Sequence, residues 1–280
     1  MGERIVRNDE AGGSIPPRST FPPGSKAMYR FYCQDADFSK FSVVIGDTHE
    51  IHHIKDVLRL KKGSLIQIFN AQSQQADAII EQINEAAIHV RVKTVKQNEE
   101  ARAKIILACA PPKKGKFEFI IEKCTELGVD EIIPLKTKRA EVIFKEDKMA
   151  GKLSRFEAVA VNAAKQSKRV KVPIIHPMMT ILEVFKMLDP KVLMIIPSLN
   201  GQPPHIVEVL NKYVSFPNAN STFGGDSIVI FIGPEGDFTP DEVELAIKHG
   251  CVAVSLGDTV LKVETAAIAA VALVKFLCRN

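Results

Sequence analysis

The chain has 280 residues, 46% of them hydrophobic and 25% charged, which is typical of a soluble globular protein with one large or two ordinary domains. Its formal charge of +4 permits nucleic-acid binding without requiring it, and the scattered cysteines, with no CxxC pair, indicate reduced thiols in a cytoplasmic protein. No apolar run reaches membrane-spanning length, and His52-His53 lacks a second pair of metal ligands, so we expect neither a membrane partner nor a metal site.

Residues 1–27 contain Gly, Pro and Ser without apolar periodicity, which predicts a disordered extension. From residue 28 to residue 97 the pattern predicts a small β domain with strands at 42–45, 65–69, 75–80 and 88–95. A helical segment at 50–58 interrupts these strands and leads into the basic string HIKDVLRLKK. By charge alone, this string is as consistent with a solvated surface as with a nucleic-acid contact.

A second domain of alternating strands and helices is predicted at 104–280, after a polar linker at 97–103. It starts with a buried strand at 105–110, which is followed by a helix that starts near Phe117 and ends at Gly128. The later elements are a strand at 131–135, a helix at 148–167, a strand at 174–175, a helix at 181–188, a strand at 192–196 and a helix at 206–214. Residues 215–226 have loop composition and predict an insertion without chemistry. The alternation predicts an α/β fold.

Two apolar runs, at 228–232 and 252–256, each stop at a glycine turn that leads toward a helix. The first turn has the sequence GPEGD (233–237), and the second begins with GD (257–258). The string TPDE (239–242) predicts a helix start with threonine as N-cap and glutamate closing a capping box. In open α/β sheets a ligand crevice lies beyond the carboxyl ends of the strands, where glycine lets backbone N–H groups face the ligand. Each turn alone is typical of an ordinary βα loop, whereas the pair predicts a ligand site.

The strings GPEGDF, from Gly233, and LGDTVLKVETA, from Leu256, resemble those of the bacterial 16S rRNA uridine-N3 methyltransferase family, a branch of the SPOUT class. Further matching strings occur in the family's order: MYRF at Met28, HxxxVLRLKxG at His53, and KxxxxExxIxKxTELGV at Lys113. The resemblance covers essentially the whole chain from Met28 onward.

The resemblance implies an α/β fold in which a PUA-like, RNA-binding β-barrel domain at 28–97 precedes a trefoil-knotted SPOUT methyltransferase domain at 104–280. Knots are rare in protein chains, so the knot rests wholly on the resemblance. The implied activity is methylation of N3 of a uridine, with S-adenosylmethionine as cofactor. The implied partner is 16S rRNA in the small ribosomal subunit, and the implied state is a cytoplasmic homodimer.

The resemblance also implies roles for single residues. Backbone groups of the two turns are expected to hold the cofactor; the residues are Ile232, Gly233, Gly236, Leu256, Gly257, Val260 and Leu261. Lys262 is expected to stabilise the anion that forms when uridine N3 loses its proton, and Glu264 either orients Lys262 or only begins the final helix. The residues expected to contact RNA phosphates are Arg30, Arg59, Lys113, Lys123 and Arg169. With five phosphate contacts, log affinity should fall with log salt with a slope of about −3.5 to −4.5.

Two positions depart from the family's strings. Lys262 stands where the family usually has arginine, so a single point charge replaces a planar fork that makes two parallel contacts. Asp237 stands where the family commonly has a second glycine. The lysine motivates an alternative function, an RNA-binding ribosome-assembly protein without methyl transfer. A third alternative, another nucleotide-binding enzyme, is disfavoured because neither GxGxxG nor a P-loop string is present.

Overall fold

The computed structural model of the chain describes residues 28–97, 103–113, 115–142, 144, 146–189, 192–199, 201–215 and 227–278. The predicted extension at 1–27 lies outside these ranges. So do residues 98–102 of the predicted linker and residues 216–226 of the predicted insertion.

The strands of the first half are β1 (Arg30–Tyr32), β2 (Ser42–Ile45), β3 (Leu65–Phe69), β4 (Gln74–Ile83) and β5 (Ile88–Gln97). Within residues 28–97 they form one sheet in the order β1-β3-β4-β5-β2, with β1 parallel to β3 and the other pairs antiparallel. The four strands predicted from alternation are confirmed. β4 and β5 are longer than predicted because they pair with each other along their whole length. β1 was not predicted, since three residues are too few to show alternation.

The helical segment of the first half begins and ends differently from the prediction. It starts with α1 (Thr48–His52), because the Asp47 carboxylate accepts the backbone N–H of Glu50 at 2.9 Å as an N-cap. It continues as a π-helical turn over His53–Val57. Arg59 follows with a φ of 52°, in the left-handed region, and its side chain is exposed.

The strands of the second half are β6 (Lys104–Cys109), β7 (Glu131–Lys136), β8 (Ile174–Ile175), β9 (Met179–Thr180), β10 (Leu193–Pro197), β11 (Ser227–Ile232) and β12 (Val252–Val254). The helices are α2 (Lys116–Leu127), α3 (Glu146–Gln166), α4 (Ile181–Met187), α5 (Ile206–Ser215), α6 (Pro240–Lys248) and α7 (Val263–Cys278). Among the described residues the strands form a sheet in the order β12-β10-β11-β6-β7-β8, with β9 beside β7 and every pair parallel. The predicted α/β fold is confirmed.

Helices cover both faces of this sheet. Ile105 and Leu107 of β6 pack on one face with α2, α3, α5 and α7, whereas Ile106 and Ala108 pack on the other with α4 and α6. Parallel strands buried on both faces are apolar at successive positions, which is why β6 and β11 were recognisable as continuous apolar runs. In the described part of the chain, no helix combines the length and the apolarity needed to cross a membrane.

The sheet order brings the two glycine turns together. β10 lies between β11 and β12, and all three strands are parallel, so their carboxyl ends meet at one edge. The first turn follows β11 and the second follows β12. The predicted helix start between them is confirmed, because Thr239 is the N-cap of α6, Pro240 is its first residue and Glu242 closes a capping box.

A buried polar junction joins the two halves of the chain. Lys165 Nζ donates to both carboxylate oxygens of Glu50, at 2.7 and 2.8 Å. Arg30, only 9% exposed, donates from Nη2 to the backbone carbonyl of Arg169 at 3.3 Å, and its guanidinium lies 4.8 Å from the ring centroid of Phe69. Burial lowers the pKa of Arg30. These contacts connect β1 and α1 to the end of α3.

Candidate active site

A cavity of about 260 Å³ opens at the shared carboxyl edge of β10, β11 and β12. Six of the residues expected to hold a cofactor line it: Ile232, Gly233, Leu256, Gly257, Val260 and Leu261. Pro197 and Ser198, from the end of β10, complete part of the wall. A concave site with apolar side chains and a few polar backbone groups suits a small organic ligand.

The first turn is held in shape by its own backbone and by the end of β10. The N–H of Asp237 donates to the carbonyl of Pro234 at 2.9 Å, and Asp237 has a φ of 60°, which is uncommon for a residue with a side chain. Its carboxylate accepts the N–H of Phe238 at 2.8 Å and that of Leu199 at 3.3 Å. A Cβ on Gly233 would lie 3.1 Å from the ring of Phe238, so this position has little room for a side chain.

The second turn depends on a backbone angle that favours glycine. Gly257 has a φ of 119°, which residues with a side chain rarely adopt. The hydroxyl of Ser255 accepts the N–H of Gly257 at 3.1 Å and donates to its carbonyl at 3.2 Å. A Cβ on Gly257 would meet no atom within 4 Å, so the space beside this backbone is open. Gly257 is therefore required for its conformation and leaves its backbone accessible in the cavity wall.

Lys262 lies in the cavity wall with an exposed side chain, whereas Glu264 does not line the cavity. Glu264 is in the first turn of α7, and its carboxylate accepts a hydrogen bond from Lys116 Nζ at 2.5 Å. This bond lowers the pKa of Glu264, and the charge of Lys262 adds a smaller effect in the same direction. Sequence reasoning missed Lys116, because the two partners are 148 residues apart and no local pattern connects them. Glu264 thus joins α2 to the start of α7.

Gly236 contacts a side chain outside the cavity. It lies outside the cavity lining, and a Cβ on it would be 3.5 Å from Cδ of Arg139. Its carbonyl accepts a hydrogen bond from Arg139 Nη1 at 2.7 Å. Gly236 therefore contacts the loop after β7, and its contact with the cofactor stays a prediction.

Three of the residues expected to contact RNA, Arg59, Lys113 and Lys123, have exposed or partly exposed side chains. Arg59 is exposed, and Lys123 is held on α2 by the carboxylates of Glu122 and Glu126. Lys113 lies beside the cavity, since its backbone N–H donates to the carboxylate of Glu235, which is part of the wall. The Lys113 ammonium donates a hydrogen bond to the carboxylate of Glu141, and this bond raises the pKa of Lys113.

Arg30 and Arg169 lie in the domain junction, which differs from the expected RNA contact. Arg169 donates to the carbonyls of Val129 and Thr125, and its Nη2 lies 3.4 Å from the carboxylate of Asp130. A buried guanidinium needs such internal acceptors because it has lost its water. Arg30 and Arg169 therefore help to hold the two halves together, and their contacts with RNA stay predictions.

Removal of Lys116 should be visible in the titration of Glu264. In Lys116→Met the bond that lowers the pKa of Glu264 is lost, so this pKa should rise and the carboxylate should take up its proton at a higher pH. A lowered pKa also means stability that is lost as pH falls through it, and this part of the acid dependence should disappear in the variant. NMR titration of the Glu264 carboxyl measures the shift. Lys123→Met, on the same helix but paired to other carboxylates, is the control, and equal Glu264 titrations in all three proteins would contradict the assignment.

Two family models match successive parts of the chain. Residues 98–275 match the family model of an RNA methyltransferase domain, and residues 45–93 match that of an RNA methyltransferase PUA domain. The larger match covers more than half of the chain, so the chain belongs to this family of RNA methyltransferases. The predicted order, a PUA-like domain before an α/β domain, is confirmed. The trefoil knot and the domain boundaries stay predictions.

Named relatives narrow the class to ribosomal RNA small subunit methyltransferase E. The chain is 29% identical to that protein of Rickettsia conorii, over 89% of this chain and 95% of the relative, and 30% identical to that of Mesomycoplasma hyopneumoniae, over 86% and 96%. The structure of the Neisseria gonorrhoeae protein of this name, bound to S-adenosyl methionine, is similar with a TM-score of 0.75, 25% identity and coverage of 89% and 98%. A Legionella pneumophila structure in complex with the same cofactor has a TM-score of 0.73, 27% identity and coverage of 89% and 97%. The predicted family is confirmed, and an enzyme is favoured over an RNA-binding protein without methyl transfer.

Proposed function

We propose that the chain transfers the methyl group of S-adenosylmethionine to N3 of a uridine in the 16S rRNA of the small ribosomal subunit. The observation that carries this proposal is the cavity between the two glycine turns, with Lys262 in its wall. The cofactor present in the Neisseria gonorrhoeae and Legionella pneumophila structures supports S-adenosylmethionine as the ligand of this chain.

The cavity lining fits the chemistry of this cofactor. Gly233 and Gly257 offer backbone groups to a ligand without a side chain between. The carboxylates of Glu235 and Asp237 belong to the same wall and favour a cation such as a sulfonium. When bound, the cofactor supplies a methyl group that is open to attack by a nitrogen lone pair.

Lys262 supplies a positive charge for the base that accepts the methyl group. Uridine N3 carries a proton at neutral pH, so transfer requires loss of that proton and stabilisation of the anion at O2 and O4. Lys262 presents an ammonium group to a base that enters the cavity. It directly precedes α7, whose first turn the Lys116–Glu264 bond ties to α2, so the backbone that carries Lys262 is fixed in place.

The test is transfer of a labelled methyl group to small ribosomal subunits, followed by digestion and mass spectrometry of the nucleosides. The expected product is 3-methyluridine. RNA binding without transfer would instead favour the role in ribosome assembly. Parallel reactions with free 16S rRNA and with assembled subunits identify the form that is the substrate. A homodimer in sedimentation and a cytoplasmic location in the cell are the further expectations of this proposal.

Affinity for RNA should depend on salt less steeply than five phosphate contacts imply. With Arg30 and Arg169 inside the junction, contacts from Arg59, Lys113 and Lys123 give an expected slope of about −2.1 to −2.7 in log affinity against log salt. Arg59→Ala should reduce this slope by about one unit at most. Arg30→Ala should leave the slope unchanged and lower the melting temperature. Filter binding over a salt series measures the slope for the wild type and for both variants. A slope reduced by Arg30→Ala would show that Arg30 contacts RNA.

A further inference from the structure

The loop after β7 contacts the first glycine turn from outside the cavity. Arg139 Nη1 donates to the carbonyl of Gly236 at 2.7 Å and to that of Phe238 at 3.4 Å. These two carbonyls lie on either side of Asp237, the residue of the turn with a φ of 60°. One guanidinium nitrogen therefore contacts the backbone on both sides of Asp237, whose φ is uncommon for a residue with a side chain.

The loop that carries Arg139 is itself fixed to the start of α6. The backbone N–H of Lys138 donates to one carboxylate oxygen of Glu242 at 2.7 Å, and the other oxygen accepts the N–H of Thr239 at 2.8 Å. Glu242 is only 7% exposed. Hydrogen bonds thus connect the turn, the start of α6 and the loop after β7. The backbone that carries Arg139 is therefore held in place relative to the turn.

We propose that Arg139 is a positioning residue that keeps the first glycine turn in its ligand-holding conformation. A non-glycine residue in the left-handed region persists where surrounding contacts hold it. Leu199 holds Asp237 from the β10 side, and Arg139 holds the carbonyls beside it from the β7 side. Gly233 of the same turn lines the cavity, so release of the turn disturbs the ligand site although Arg139 itself does not line it.

Cofactor affinity in two neighbouring variants tests this role. Arg139→Met should weaken S-adenosylmethionine binding about tenfold in calorimetry, the low end for loss of one hydrogen bond to a charged group, because the guanidinium is exposed. Arg139→Lys retains a charged donor and should recover part of the loss. Lys138→Met is the matched control, because its exposed ammonium pairs with Asp241 at 2.8 Å while its backbone N–H still holds Glu242. Wild-type cofactor affinity in Arg139→Met, with weakened RNA binding alone, would overturn the proposal and make Arg139 an RNA contact.

Hydrogen exchange supplies a readout without any ligand. The N–H groups of Asp237 and Phe238 both donate within the turn, and their exchange should be about tenfold faster in Arg139→Met and unchanged in Lys138→Met. Only the name of the ligand in this proposal rests on the proposed function. If the wild-type protein bound no S-adenosylmethionine, the proposed function would fail while faster exchange would still support the role of Arg139. Equal exchange in both variants overturns that role.

Discussion

Lys262→Met is expected to lower the turnover of methyl transfer roughly 10²–10³-fold, the scale seen when one charge-stabilising donor is removed from an active site. Lys262→Arg should keep much of the activity, because the positive charge beside the uridine anion remains. Cofactor affinity should barely change, since in the proposed site the cofactor is held by backbone groups of the turns rather than by Lys262, which lines the same cavity. Single-turnover rates at saturating small ribosomal subunits measure the effect.

A role of Lys262 in docking RNA would give a different result. The loss would then appear as weaker substrate binding at unchanged turnover, and it would shrink as salt rises. Lys248→Met is the matched control, because Lys248 is an exposed lysine of the same domain that pairs with Glu244 on α6. An unaltered single-turnover rate in Lys262→Met ends the catalytic assignment.

Gly257→Val should abolish cofactor binding while the fold stays largely intact. The backbone angle of Gly257 is strained for any residue with a side chain, and valine is branched at Cβ, which makes the left-handed region still less favourable. The turn must then change its path, and the backbone it contributes to the cavity moves. Calorimetry with S-adenosylmethionine, together with far-UV circular dichroism, distinguishes loss of the site from loss of the fold.

Gly233→Val should also abolish cofactor binding, for a steric reason. Its side chain would meet the ring and backbone nitrogen of Phe238, at 3.1 and 3.2 Å from the Cβ, and Phe238 is fully buried and unable to yield. Gly46→Val is the control for both variants, because a Cβ on Gly46 meets no atom within 4 Å and the φ of Gly46 lies outside the left-handed region. Cofactor affinity within a few-fold of wild type in Gly233→Val and Gly257→Val would remove the two turns from the site.

Local sequence patterns accounted for most of the secondary structure. The strand at Leu65–Phe69 and the N-cap at Thr239 lie where they were predicted, because period-2 alternation and the capping box are written in neighbouring residues. Errors occurred where tertiary contacts decide the bounds. β12 ends at Val254 rather than at residue 256, since Ser255 bridges to His205 instead.

The family's strings also predicted most of the residues that line the cavity, without any knowledge of tertiary contacts. They did so because a glycine turn at the carboxyl end of a parallel strand is a local feature, and two such turns mark the same edge of the sheet. They did not indicate that Gly236 and Arg30 also make contacts within the protein, with Arg139 and with the backbone of Arg169. A matching string indicates that a residue is important, but it does not indicate whether the residue contacts a ligand or another part of the protein.

The sequence by itself determined the α/β class, the two turns and the position of Lys262 after the second turn, since each depends on residues close together in the chain. Only the tertiary structure decided which distant loops support the site. The bond between Lys116 and Glu264 spans 148 residues, and the bond from Arg139 to Gly236 spans 97. No local periodicity encodes these partners, because they become neighbours only when the order of strands in the sheet places the ends of β6, β7 and β11 side by side.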